Sequence, residues 1–115
     1  QLPFEERMQK LFRNIICFKI KHFEVSAFLE QSYHSPYVNA IDLKKKQKAM
    51  SPLFDLIKEG IETKQIKSTE INLVVSYLFG IVNEMVKRAY FSNKKLTDTI
   101  IEEVYEMFWD GIKYN

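Results

Sequence analysis

Apolar residues recur every three or four positions along almost the whole chain, and this pattern predicts five helices and no strand. The first runs from about Pro3 to Lys21. Phe4, Met8, Leu11, Ile15 and Phe18 make one stripe, which Phe12, Ile16 and Ile20 widen. Pro3 suits a helix start, and Glu5 and Glu6 sit favourably at its positive end. A second helix spans about His22 to His34 with Val25, Phe28, Leu29 and Tyr33 as its apolar face. It stops at Ser35-Pro36, because the residue before proline is pushed out of the helical region. A third covers roughly Tyr37 to Gln65, burying Leu53, Phe54, Leu56, Ile57 and Ile61. Ser51-Pro52 inside it looks like an N-cap followed by a first-turn proline, so a break or kink is expected near Ala49–Ser51. Ser68 or Thr69 caps a fourth helix that reaches Tyr90 or Phe91. Thr97 caps a fifth, with Asp98 in its first turn, that reaches about Lys113. The connections are short and no internal repeat interrupts them, so the expected fold is a single all-α domain over residues 1–115.

The last two segments are more apolar than one packed face requires. On the fifth, Met107, Ile100, Val104, Phe108, Ile101, Ile112, Tyr105 and Trp109 fill an arc of roughly 200° at 100° per residue. On the fourth, Ile71, Val74, Val75, Leu78, Phe79, Val82, Met85 and Val86 cover one side, and Tyr77 and Ile81 extend it. Only the strip of Asn72, Ser76, Asn83, Glu84 and Lys87 stays polar, and Gly80 lies within it. Such helices need cover from two sides. A homodimer in which the pair packs on its copy as an intermolecular four-helix bundle is the simplest closed solution. Its expected interface is Phe79, Gly80 and Asn83 on the fourth helix with Ile101, Tyr105, Phe108, Trp109 and Ile112 on the fifth. The alternative is a fully buried helix in a monomer, with Gly80 merely tolerated.

Composition sharpens this picture in a few places. Nine Phe, six Tyr and one Trp among 115 residues are a lot of bulky material for so small a domain. Either the core is aromatic-rich, or some of these rings line a cavity or a subunit interface. Net charge is +2 with both signs interspersed, unlike the footprint of a nucleic-acid binder. The run Lys44-Lys45-Lys46-Gln47-Lys48 reads as a solvated helix face, or as a surface abutting an acidic or phosphate-bound neighbour. The single Cys17 makes no internal disulfide, which points to a reducing, cytoplasmic setting. No apolar run is long enough for a membrane span, and no signal peptide is visible. The chain begins at Gln1 and enters a helix almost at once, so a preceding part is expected to have been cut away.

Enzymatic chemistry finds no carriers. There is no Gly-rich phosphate loop, no nucleophile elbow and no acid pair at a recognisable spacing. His22 and His34 lie at opposite ends of the second segment, too far apart to share a metal through local spacing, so neither metal nor cofactor is expected. Cys17 reads as a core or flanking residue; a redox role lacks the basic partner expected beside the thiol, although Lys21 lies one turn on.

Four stretches in order, FLEQSYHSPY (Phe28–Tyr37), PLFDLIKEGIETKQIK (Pro52–Lys67), YLFGIVNEMVK (Tyr77–Lys87) and LTDTIIEEVYEMFWDGIK (Leu96–Lys113), resemble the C-terminal half of bacterial TetR-type transcriptional repressors. Lys64-Gln65 stands where that family's turn usually carries Gly. The resemblance implies a five-helix effector-binding and dimerisation domain that lacks its N-terminal helix-turn-helix head. Operator DNA would then be bound only through that missing head. It also implies a small hydrophobic effector that releases the intact dimer from DNA. The residues able to face such a pocket are Phe12, Ile15, Phe18, Phe28 and Tyr33 on the first two helices, Phe54 and Ile57 on the third, and Tyr77 and Ile81 on the fourth. Side chains of these types also serve as plain core. Glu30 and Glu84 would suit a cationic effector, or simply solvent. The competing reading is an all-helical dimeric interaction module with no small-molecule ligand.

Overall fold

The computed structural model describes residues 2–23 and 40–115, with the helical backbone alone for 40–47. Among these, four helices are formed: α1 (Phe4–Lys21), α2 (Ala40–Glu62), α3 (Ile71–Ser92) and α4 (Asp98–Ile112). No strand is found among the described residues; an isolated antiparallel bridge joins Ile66 and Lys113. The helix expected over His22–His34 lies, beyond Phe23, outside the described residues, as do the side chains of the Lys44–Gln47 run.

α1 packs against each of the other three helices. Its buried line is Phe4, Met8, Phe12 and Ile16, spaced by four, with Leu11 and Ile15 half-buried beside it. Phe18 and Ile20, expected on the apolar face, are exposed, and so is Cys17. The centre of the core is aromatic. Phe12 stacks on Phe108 at 5.5 Å and meets Tyr105 edge-on at 5.4 Å, while Phe4 lies 6.1 Å from Trp109. Each such pair adds about 0.5–1.5 kcal/mol beyond the area it buries.

Pro52 does not end α2; the helix runs through it. Proline removes the N–H that the carbonyl of Lys48 would accept from. The Ser51 hydroxyl donates to that carbonyl instead, at 2.9 Å. Ser51 therefore mends a helix interior and does not cap a new start. α2 closes on Gly60, whose carbonyl accepts from the N–H groups of Gln65 (2.8 Å) and Ile66 (2.9 Å). Lys64 takes the left-handed conformation (φ 61°) at the turn where TetR-type sequences usually place Gly.

That turn is sewn to the far end of α4. The Lys67 N–H donates to the Ile112 carbonyl and the Tyr114 N–H to the Gln65 carbonyl, both at 2.9 Å. α3 starts without the expected Ser68 or Thr69 cap: Glu70 occupies the N-cap position and makes no side-chain cap bond. It ends at Asn93 in the left-handed conformation, which Asn tolerates better than most residues. The Thr97 cap forms as the sequence predicts, its hydroxyl accepting from the Ile100 N–H at 3.3 Å. Two ion pairs hold α1 at its flanks. Arg7 forks onto both carboxylate oxygens of Glu59 on α2, and Arg13 pairs with Asp98 at the start of α4.

Candidate functional site: the outer face of the last two helices

Successive positions on a helix turn by about 100°, so residues 73, 77, 80, 84 and 91 line up along one side of α3. In the structure this side faces outward. Leu73 is 61% exposed, Tyr77 44% and Phe91 72%. On α4 the same arithmetic aligns Ile100, Met107 and Gly111, with Met107 64% exposed. The opposite sides of both helices are core: Val74, Val75, Leu78, Val82 and Val86 on α3, Ile101, Val104, Tyr105, Phe108 and Ile112 on α4.

The two outward stripes meet where Tyr77 crosses α4. Its ring lies 5.6 Å from Phe108, and a Cβ on Gly111 would fall 2.8 Å from its hydroxyl oxygen. Gly111 is thus the gap through which the Tyr77 side chain lies down. Gly80 differs: a Cβ built there meets no atom within 4 Å. A glycine inside a helix costs about 1 kcal/mol relative to alanine, and nothing in the packing of the described residues requires it. Around Gly80 lies an open, largely apolar depression bounded by Ser76, Tyr77, Ile81, Glu84 and Met85.

Charge on this face is sparse. Glu84 pairs with Arg88 one turn on at 3.7 Å, and Lys113 with Asp110 at 3.1 Å. Beneath the face, the Tyr105 hydroxyl donates to the Glu5 carbonyl at 3.4 Å; burial first, and then the nearby Glu5 charge, push its pKa well above the usual phenol value. Among the described residues no group of His, Cys, Asp and Glu could hold a metal, and no helix is long and apolar enough to cross a membrane.

A family model described as tetracyclin repressor-like, C-terminal domain, matches residues 3–113. The chain belongs to this family. It is a family of transcription regulators, not of enzymes. Among solved structures, a TetR family transcription regulator from Marinobacter aquaeolei VT8 is similar, with a TM-score of 0.82 and 18% identity over 96% of this chain. At that identity the likeness concerns the fold. The chain spans 58% of the length of that regulator. No curated protein matches.

Within this TetR-type domain the residues expected to line a pocket separate into groups. Phe12 and Ile57 are fully buried, Phe12 between Tyr105 and Phe108. Ile15, Phe54 and Ile81 are half-buried against the core. Phe18 is 60% exposed, with its ring 4.5 Å from that of His22. Phe28 and Tyr33 lie outside the described residues. Tyr77 sits on the outer face, where of the other candidates Ile81 joins it in lining the Gly80 depression.

The residues expected at an interface separate as well. Gly80 is on the outer face and Asn83 at its half-buried edge. Phe79 turns towards α1, where the Lys19 ammonium lies 5.2 Å from its ring centre. Ile101, Tyr105, Phe108 and Ile112 point into their own core, and Trp109 packs on Phe4. In this conformation those four buried side chains offer a partner almost no surface. Leu73, Ile100, Met107 and Gly111 lie outside the interface that the sequence predicts. The signal was there for two of them: Met107 and Ile100 form one edge of the over-wide arc on α4, and that edge is the one left uncovered.

Proposed function

We propose that this chain is the ligand-sensing and dimerisation domain of a TetR-type transcriptional repressor working in the cytoplasm. Residues 1–115 act as one domain. The exposed apolar face built by Leu73, Tyr77, Ile100 and Met107 around the Gly80 depression carries this reading. An uncovered face of this kind is the usual mark of a subunit contact. A second copy closes it into an intermolecular four-helix bundle. The half-buried side chains Ile15 and Phe54, packed against the aromatic core, support a small hydrophobic effector as the ligand. Operator DNA is bound through an N-terminal helix-turn-helix head of the whole regulator. The effector releases DNA to the extent that it binds the released conformation more tightly than the DNA-bound one.

Light scattering tests the carrying observation. The wild-type chain is expected at twice its 13.7 kDa mass, and Met107→Glu at the monomer mass with unchanged helical circular dichroism. A wild-type monomer at tens of micromolar would overturn the dimer. Thermal-shift screening tests the sensor: an effector at about 100 times its Kd stabilises the fold by about 2.7 kcal/mol. A wide set of hydrophobic compounds giving no shift would favour a dimerisation module without a ligand.

A further inference from the structure

The Gly80 depression has its own geometry, and it constrains how two copies meet. Its floor is the backbone of α3 at a position with no side chain, and it is lined by Ser76, one turn before Gly80, and by Glu84, one turn after it. Ser76 and Glu84 stand equally far along the helix from Gly80, in opposite directions. The stripe is therefore complementary to itself when reversed.

We propose that α3 crosses the α3 of a second copy antiparallel, with Gly80 against the partner's Gly80 on the two-fold axis. This rests on the dimer reading and adds its register. An isologous contact brings the residue on the axis against its own copy. Helix axes ordinarily pack 8–10 Å apart, the distance being set by the side chains between them, so a glycine at the crossing point lets the backbones approach more closely. That is a use for Gly80 that the described residues of its own chain do not supply. In the antiparallel register Glu84 faces the hydroxyl of the partner's Ser76, and the same contact repeats across the axis. The stem of Lys87 lies against the partner's Leu73, covering a side chain that is otherwise exposed. The parallel alternative would place Glu84 against the partner's Glu84, and Arg88 against the partner's Arg88. Like charges facing each other disfavour that register.

Cysteine cross-linking on the full chain, in a Cys17→Ser background, reads the register directly. Gly80→Cys has room in the folded chain, because nothing lies within 4 Å of its Cβ. A disulfide needs the two Cα atoms within about 4.4–6.8 Å. Mild oxidation of Gly80→Cys is expected to shift most of the protein to twice the chain mass on a non-reducing gel. A mixture of Ser76→Cys and Glu84→Cys chains is expected to cross-link as well, while each variant alone stays largely uncrossed. Efficient cross-linking of Ser76→Cys alone or Glu84→Cys alone would overturn the antiparallel register. A dimer by light scattering with no Gly80→Cys cross-link and no mixed cross-link would overturn the crossing at Gly80 and leave the dimer standing. A wild-type monomer would remove both readings.

Discussion

Gly60 and Gly80 both lie inside helices, in surroundings that differ in one respect. A Cβ at Gly60 would come within 2.6 Å of the Phe4 ring and of the Ile66 side chain. The chain's own packing demands that glycine: Phe4 on α1 and Ile66 in the turn after α2 close over the helix backbone there. A Cβ at Gly80 would meet nothing. The region around Gly60 is a finished core, with its glycine, its turn hydrogen bonds and its covering ring all supplied from one chain. The region around Gly80 carries the same helix penalty, with nothing among the described residues of its own chain to offset it. Two helical regions can thus share a composition and differ only in whether the described residues of one chain complete the contact.

The largest test of the contrast lies in the finished region. Phe12→Ala removes the ring between Phe108 and Tyr105 and is expected to cost about 3–5 kcal/mol, measured by urea unfolding. A loss below about 1 kcal/mol would mean that the aromatic core collapses freely around the gap. Next comes the glycine pair. Gly60→Ala is expected to lower stability by about 1 kcal/mol, the strain of overpacking outweighing the gain in helix propensity. Gly80→Ala, measured on protein dilute enough to be monomeric, is expected to raise it by about 1 kcal/mol. Equal effects at the two sites would erase the distinction.

The smallest effect concerns the strap beside the Gly60 region. The hydrogen bond and charge of Arg7 hold the Glu59 carboxyl below its ordinary range, while Arg7 itself stays cationic. A carboxylate with a depressed folded pKa stabilises the fold above its unfolded pKa and loses that contribution as pH falls through the folded value. The pair is half-exposed, so its effect is modest. The melting temperatures of wild type and Glu59→Gln are expected to differ slightly at neutral pH and to converge once Glu59 is protonated. A constant gap down to that pH would show that Glu59 acts through packing alone.

Much of the fold is legible in local sequence, because the forces behind it are local. The start of α1 at Pro3-Phe4, its end at Lys21, and the Thr97 cap of α4 follow from backbone chemistry within one helical turn. The misreadings have equally local causes. Ser51-Pro52 carries the signature of a helix start, yet one serine hydroxyl satisfies the carbonyl that proline leaves unpaired, and the helix continues. Ser68 and Thr69 are good capping types, but the bridge from Gln65 and Lys67 to the end of α4 fixes the chain there, and α3 begins only at Ile71.

The candidate face shows where sequence stops. Periodicity by itself determined that α3 and α4 carry more apolar surface than one contact can use, and that Gly80 sits within the polar strip. It did not determine which edge of each arc turns inward. A helical pattern reads the same whatever the rotation of the helix about its axis, and that rotation is decided by the neighbours. Here Phe12 of α1 draws Tyr105 and Phe108 into the core, and Lys19 covers Phe79, so Met107, Ile100, Leu73 and Tyr77 are left outside. The surplus of apolar surface was a property of the sequence; its address on the molecule was settled only when α1 packed against the pair.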